Sequence, residues 1–345
     1  MAAPRRILVR CPNPVGDAVM ATPALRALRR AHPSAEIVLM GLPANEVLLR
    51  GLDSFDAYLR IEEKSLGATL ARVRALRARR FDWALVLPDS PRAALDAFLA
   101  RIPRRAGYAR DLLRRALVTD ALEAPRENGR RMPISMIERY LRITRLLGCP
   151  DAGIELDLVV DAASERRVAD RLDALGVAKD ERVLLVTPGA SYGASKLWPP
   201  SHFARACDEI RRRFGLLPVL VPAPNADEIA IVREVAAAMR ERHTALVDHP
   251  GTLEDLKALV ARATLVLTND TGPRHVAVAL DRPVITLIGP TDPRHTGHLL
   301  ERQRVLQEGF DCVPCGKKVC PIDHRCMTRL SPERVVDAAA ELLAG

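Results

Sequence analysis

Residues 7–40 read ILVRCPNPVGDAVMATPALRALRRAHPSAEIVLM. Two short apolar runs, Ile7-Leu8-Val9 and Glu36-Ile37-Val38-Leu39-Met40, flank a helical pattern over 17–30. Runs that are apolar throughout, rather than alternating, belong to strands covered on both faces. That is the condition of a parallel sheet wrapped by helices. The rhythm continues with a helix over 66–79, its Arg residues on a solvated face, and a strand over 82–87 that stops at Pro88.

After Pro150 the pattern restarts. Residues 182–186 read as a strand, and Phe203, Ala206, Ile210 and Phe214 follow helical spacing. Strands over 217–221, 244–247, 264–268 and 283–288 alternate with helices over 227–240 and 253–261. Ser331-Pro332-Glu333 opens a last helix, with Ser as cap, Pro at the first helical position and an acid in the first turn. Its apolar face would be Val335, Val336, Ala339, Leu342 and Leu343. The expected fold is α/β: two Rossmann-like doubly wound domains facing each other across a cleft. Their expected bounds are 1–165 and 166–330, followed by a terminal helix over 331–345. Ligands are expected at the carboxyl ends of the strands.

Composition narrows the class. Of 345 residues, 48% are hydrophobic and only 3% aromatic, so the cores rest on Leu, Val, Ile and Ala. No run approaches the roughly 18 apolar residues of a membrane span, and Met1–Arg10 lacks the apolar core of a signal peptide, which predicts a cytoplasmic chain. Residues 1–150 hold 27 basic and 15 acidic side chains, whereas the remainder is slightly acidic. That asymmetry calls for an anionic partner at the first half. Scarce aromatics and the lack of a zinc finger or basic zipper argue against nucleic acid. No G-x-G-x-x-G follows the first strand and no G-x-x-x-x-G-K-[ST] occurs, which disfavours a dinucleotide-dependent dehydrogenase and a P-loop kinase.

Four segments carry candidate chemistry. Asn13-Pro14-Val15-Gly16-Asp17 follows the first strand; Asp17 is either a helix-opening acid or a cleft-facing base able to take a proton from a sugar hydroxyl. Residues 188–199, PGASYGASKLWP, form a donor-rich loop in which Lys196 adds a mobile positive charge suited to a diphosphate, while Trp198 and Pro199 look structural. Residues 267–275, LTNDTGPRH, end a strand and open a helix; Thr271 and Gly272 offer backbone N–H groups there, and His275 lies one turn in. Cys312, Cys315, Cys320 and Cys326, with His324 nearby, make either a metal site or a thiol-lined structural loop. Cys11, Cys149 and Cys207 read as small buried hydrophobes.

Taken together these segments resemble the ADP-heptose:lipopolysaccharide heptosyltransferases, most closely the heptosyltransferase II branch. The resemblance rests on NPVGDAVMATPALRAL at 13–28, PGASYGASKLWP at 188–199, TNDTGPRHVAVAL at 268–280, GPTDP at 289–293 and DCVPCGKKVCPIDHRCM before SPERV. It implies the GT-B architecture, with the acceptor on the first domain and the nucleotide sugar on the second. By position it implies Asp17 as catalytic base, Lys196 on the donor phosphates, Glu228 on the ribose, and Asp270, Thr271, Gly272 and His275 in the nucleotide-sugar loop. Pro14 stands where members often carry Trp, and Pro273-Arg274 replaces a more apolar pair. The resemblance also implies ADP-heptose as donor, a lipopolysaccharide inner-core acceptor, peripheral contact with the anionic inner-membrane leaflet, no cofactor and no metal. Two readings compete with it: a GT-B enzyme using another nucleotide sugar or acceptor, and a non-enzymatic cysteine–metal module that binds nucleic acid.

Overall fold

Ile7, Leu8 and Val9 are fully buried in the first strand, β1 (Arg6–Arg10), as a strand covered on both faces requires. The computed structural model describes residues 3–63, 65–127, 130–297 and 301–344. They divide into two compact units, one ending at Leu158 and the other beginning at Val159. Met1, Ala2 and Gly345, the outer ends of the expected domains, lie outside the described residues.

Unit 1 surrounds β1 with β2 (Glu36–Gly41), β3 (Ala57–Arg60), β4 (Trp83–Val86), β5 (Arg104–Tyr108) and β6 (Asp120–Leu122). The order is β3-β2-β1-β4-β5-β6, with every pairing parallel. Ile7 is level with Ile37 on one side and Trp83 on the other. A short antiparallel pair, β7 (Arg126–Glu127) and β8 (Arg130–Arg131), follows the sheet. The crossovers are α1 (Val15–Met20), α2 (Thr22–Ala31), α3 (Pro43–Leu49), α4 (Leu66–Arg79), α5 (Pro91–Leu99) and α6 (Leu112–Leu117), with α7 (Met136–Leu146) closing the unit.

The single helix expected over 17–30 is thus two. Pro23 has no N–H to give to the carbonyl of Val19, and the Thr22 hydroxyl donates to that oxygen instead at 2.8 Å. Thr22 also accepts from the backbone N–H of Asp157 at 2.9 Å. One turn further along α2, Arg26 donates to the carbonyls of Ala152 and Glu155, both at 2.9 Å, and pairs with Asp157. These bonds tie 152–157 back onto α2, which is why unit 1 runs to Leu158. The expected break at 165–166 would cut α8 (Ala162–Ala174), a continuous helix capped by Asp161.

Unit 2 repeats the plan. Its strands are β9 (Val183–Thr187), β10 (Leu217–Leu220), β11 (Thr244–Ala245), β12 (Leu265–Asn269), β13 (Val284–Ile288) and β14 (Gln303–Gln307). They lie in the order β11-β10-β9-β12-β13-β14, again wholly parallel. The helices after α8 are α9 (Pro200–Phe214), α10 (Ala226–Ala238), α11 (Leu253–Arg262), α12 (Gly272–Ala279), α13 (Arg325–Thr328) and α14 (Pro332–Ala344). The terminal helix is part of this unit: Val335, Val336 and Ala339 are buried in its core, and Leu342 and Leu343 pack against it. Both sheets therefore have the 3-2-1-4-5-6 order of an open doubly wound sheet, with the strand order reversing across the sheet between β1 and β4 and again between β9 and β12. Crevices at such reversals lie at the carboxyl ends of the strands.

Trp198 anchors the core of unit 2. It is fully buried, its indole N–H reaches the Leu330 carbonyl at 2.9 Å, and Phe203 meets it edge-on at 4.9 Å between ring centroids. Phe203→Ala should destabilise the protein by about 3–5 kcal/mol, because the cavity opens against a rigid neighbour. Urea unfolding followed by circular dichroism would read the loss; an unchanged midpoint would remove this cluster from the core.

Candidate active site

In unit 2, the carboxyl ends of β9 and β12 lie side by side, and their loops are locked together. The Thr187 hydroxyl donates to Thr268 Oγ1 at 2.6 Å, and Asn269 Nδ2 donates to the Pro188 carbonyl at 2.6 Å. The loop after β9 then passes under Glu228, which opens α10. A Cβ at Gly189 would overlap the Glu228 carboxylate as it now lies, so a larger residue there would displace that side chain. Glu228 Oε2 also accepts from the Ala223 N–H at 3.0 Å.

Lys196 is not the mobile loop charge that its surroundings in the sequence suggest. It is 8% exposed, and its ammonium donates to Asp270 twice, to Oδ2 and to the backbone carbonyl, both at 2.7 Å. Asp270 is 5% exposed and holds two further donors: Arg274 Nη1 at 3.0 Å on Oδ1 and the Thr291 hydroxyl at 2.7 Å on Oδ2. Burial pushes the Asp270 carboxyl up, but the charges of Lys196 and Arg274 and the bonds from Lys196 and Thr291 outweigh it and hold it well below the usual carboxylate range. Arg274 itself is fully buried and also donates to Thr296 Oγ1 at 2.7 Å and Gln303 Oε1 at 3.1 Å. The sequence places Arg274 as a departure beside the ligand; the structure gives it this internal role. Two cations around one carboxylate leave a net positive charge, and the next residues, Thr271 and Gly272, begin α12. His275 is buried one turn into that helix. The structure thus brings Lys196, Asp270, Thr271, Gly272 and His275 to one strand end, while Glu228 lies over the neighbouring loop.

The cysteine-bearing segment holds this loop from behind. The Ser195 hydroxyl donates to the Lys317 carbonyl and the Tyr192 hydroxyl to the Gly316 carbonyl, each at 2.5 Å, while the Ser195 N–H reaches the Lys318 carbonyl at 3.0 Å. His324 Nε2 lies 2.8 Å from the Ser195 carbonyl. Gly193 has φ +153 and its Cα faces Lys318, where a Cβ would strike the backbone. Cys312, Cys315, Cys320 and Cys326 all line one small cavity of about 70 Å³ beside Ser195. Among the described residues, no group of three or more His, Cys, Asp or Glu side chains is arranged to hold a metal ion. Cys11, Cys149 and Cys207 are buried in the hydrophobic interior.

In unit 1, Asp17 lies half-buried in the first turn of α1. The turn before it is clamped: Arg10 Nη2 donates to Asn13 Oδ1 at 3.0 Å, and the fully buried Asn45 donates to the Pro12 carbonyl at 2.5 Å. Asn45 and Asn269 therefore do the same thing in the two units. Each fixes the carbonyl of the proline that follows the first strand of its sheet. Burial pushes the hydroxyl of Tyr140, on α7, well above its ordinary range, and the nearby Asp17 carboxylate pushes it further. Tyr140 is thus a neutral donor-acceptor held close to the Asp17 charge. Residue-by-residue reading of the sequence missed Arg10, Asn45, Asn269 and Tyr140; an Asn soon after the strand end is the signal that points to the clamps.

A model of glycosyltransferase family 9 (heptosyltransferase) matches residues 69–325. The chain belongs to this family. As a family 9 glycosyltransferase it is similar to lipopolysaccharide heptosyltransferase 2 of Salmonella typhimurium, with 28% identity over 98% of this chain and 99% of the relative. The match to residues 69–325 begins beyond Asp17, but that relative extends across it. The solved structure of Escherichia coli ADP-heptose lipopolysaccharide heptosyltransferase II has a TM-score of 0.79, 25% identity, and 98% coverage of both chains. A family 9 glycosyltransferase from Veillonella parvula has the same fold, with a TM-score of 0.84 at 22% identity over 99% of this chain and 97% of its own. The fold is accordingly the GT-B class of two Rossmann-like domains, and the chain is an enzyme. No helix among the described residues is long and apolar enough to cross a membrane.

Asp270→Asn should cost about 3–5 kcal/mol, because it leaves Lys196 and Arg274 as buried charges without their counterion. The sign with pH follows from the lowered Asp270 value. Its stabilisation is complete above the unfolded carboxylate value of about 3.9 and is lost as pH falls toward the lower folded value. Urea midpoints measured between neutral and acid pH should therefore fall for the parent protein and flatten in the variant; parallel curves would show that Asp270 is not ionised in the fold.

Proposed function

We propose that this chain transfers heptose from ADP-heptose to the inner core of lipopolysaccharide with inversion at the anomeric carbon. Unit 1 holds the acceptor and unit 2 the nucleotide sugar. The observation that carries this reading is the Lys196–Asp270–Arg274 cluster, a net positive charge fixed at the start of α12. A diphosphate placed there meets both the cluster's charge and the helix amides. The donor and acceptor identities follow the names of the relatives.

Asp17 acts as the base. It accepts the proton of an acceptor hydroxyl as that oxygen bonds to the anomeric carbon and the bond to the ADP oxygen breaks. Negative charge then grows on the leaving diphosphate. Lys196 and the Thr271–Gly272 amides oppose it, an arrangement worth about 2.7–4 kcal/mol for one well-placed donor. Glu228 takes the ribose hydroxyls, and Asp270 and His275 shape the nucleotide-sugar loop. Because the loops already supply positive charge and the sequence has no Asp-x-Asp pair, the reading needs no metal ion. The basic first half also suits peripheral contact with an anionic leaflet, where each basic residue near the surface contributes about 1 kcal/mol. Nucleic acid has no part in it.

Asp17→Asn should reduce turnover of ADP-heptose on a single-heptose inner-core acceptor by about 10²–10⁴-fold while leaving ADP binding intact, the range of a lost general base. Near-parental turnover would remove Asp17 from the role. Calorimetric titration with ADP, UDP and GDP tests the donor: tightest binding of UDP or GDP would move the enzyme to another nucleotide sugar.

A further inference from the structure

Unit 2 contains a pocket of about 390 Å³ at the other end of its sheet from Lys196 and Asp270. Val177, Ala178 and Lys179 line it just before β9, Arg262 just before β12 and Arg282 just before β13, so it lies at the amino ends of these strands. The three strands are each five residues long, at about 3.3 Å per residue, and the nucleotide loops leave from their far ends. The pocket shares no residue with the site described above. Its volume is within the range of small-molecule sites.

The floor is apolar. Val168 and Leu172 of α8, Val177 beyond it and Ala258 of α11 are all buried there. Ala169 and Ala261 line the same seam between the two helices, and their small side chains leave open what leucines would fill. The rim is charged, with three cations, Lys179, Arg262 and Arg282, against one carboxylate, Glu165. An apolar floor beneath a surplus of positive charge suits a ligand that is apolar along its body and anionic at one end.

The two arginines differ in what they have left to give. Arg262 is committed to the fold: its Nη2 donates to the carbonyls of Ala178, Lys179 and Glu181 at 2.7–3.2 Å and ties that loop to the end of α11. Arg282 is half-buried, and its Nε is shut off from water. Neither that N–H nor the rest of the guanidinium finds a hydrogen-bond partner or a carboxylate among the described residues. The backbone nevertheless holds it in place. α12 ends in a turn in which Asp281 takes φ +51, and the N–H groups of Asp281 and Arg282 return to the carbonyls of Val278 and Ala277 at 3.2 and 2.9 Å. Asp281, the adjacent acid, is turned to Arg302 at 2.6 Å and is spoken for. A fixed guanidinium with a dry, unused N–H presents a planar fork of donors, and a carboxylate is the group that answers such a fork with two parallel bonds.

We infer that this pocket binds a small amphipathic carboxylate. Its hydrocarbon chain lies on Val168, Leu172 and Val177, its carboxylate accepts from Arg282, and Lys179 and Arg262 add to the attraction. A doubly charged phosphate is the poorer match, because only one guanidinium fork is free and Glu165 stands on the same rim. The inference goes beyond the transferase reading and uses none of its residues, so it holds whatever sugar the enzyme moves.

Sodium octanoate is the probe, titrated calorimetrically into the full chain, with octanol and sodium acetate as controls. Octanoate should saturate one site with a Kd on the order of 1 mM or below. Octanol lacks the charge and acetate lacks the chain, so each should bind at least about tenfold more weakly. Arg282→Gln should weaken octanoate at least about tenfold, the effect of losing a hydrogen bond between charged groups. Ala261→Leu, which narrows the seam and leaves every charge in place, should weaken octanoate and octanol alike. Far-ultraviolet circular dichroism matching the parent shows that each variant is folded; Arg282 gives up no bond within the protein when it is replaced. Octanoate that never saturates, octanol or acetate that binds as tightly as octanoate, or an Arg282→Gln variant with the parent's octanoate affinity would each overturn the inference. Loss of heptose transfer or of ADP binding by the parent protein would count against the transferase reading alone.

Discussion

A carboxylate shut away from water between two cations organises the second half of this molecule. Asp270 sits at the end of a central strand, yet it reaches Lys196 in a loop, Arg274 one helical turn further on, and Thr291 after the next strand. Three other pieces of chain are thereby fixed to one group. An ion pair alone rarely repays the removal of its charges from water. Here the surplus cation makes the arrangement useful, because it leaves the strand end positively charged in a place where loops and helix amides converge.

The two units solve one problem twice. Each has a six-stranded parallel sheet with the same strand order, and each pins the first strand-to-helix turn with a buried asparagine on a proline carbonyl. What differs is the charge placed at the strand ends. Unit 2 buries a net cation beside a helix start. Unit 1 presents a half-buried carboxylate, Asp17, in the first turn of α1. The same scaffold thus carries a surplus cation at the strand ends of one half and a carboxylate at those of the other.

Much of the fold was legible from apolar periodicity. The helix over 66–79 and the strands β9 to β13 lie within a residue or two of where their runs place them, because fully buried strands announce themselves as unbroken apolar stretches. The strands β3, β5, β6 and β14 escaped, since sequences such as RRAGY, DAL and QRVLQ carry too few consecutive apolar residues to stand out; β3, β6 and β14 are sheet edges and β5 lies next to one. The site was legible as a set of strand-end loops. Its internal wiring was not: that Lys196 is tied down or that Arg274 is interior depends on residues distant in sequence.

The strap formed by residues 316–324 has a consequence for how the molecule comes into being. The bend at Gly193 takes its shape from carbonyls more than a hundred residues downstream, against which no larger side chain would fit. A chain emerging from the ribosome builds β9 first, yet the loop that follows it has nothing to lean on until residues 316–318 have been made. The shape of that loop is in this way withheld from chains that have not yet reached residue 318.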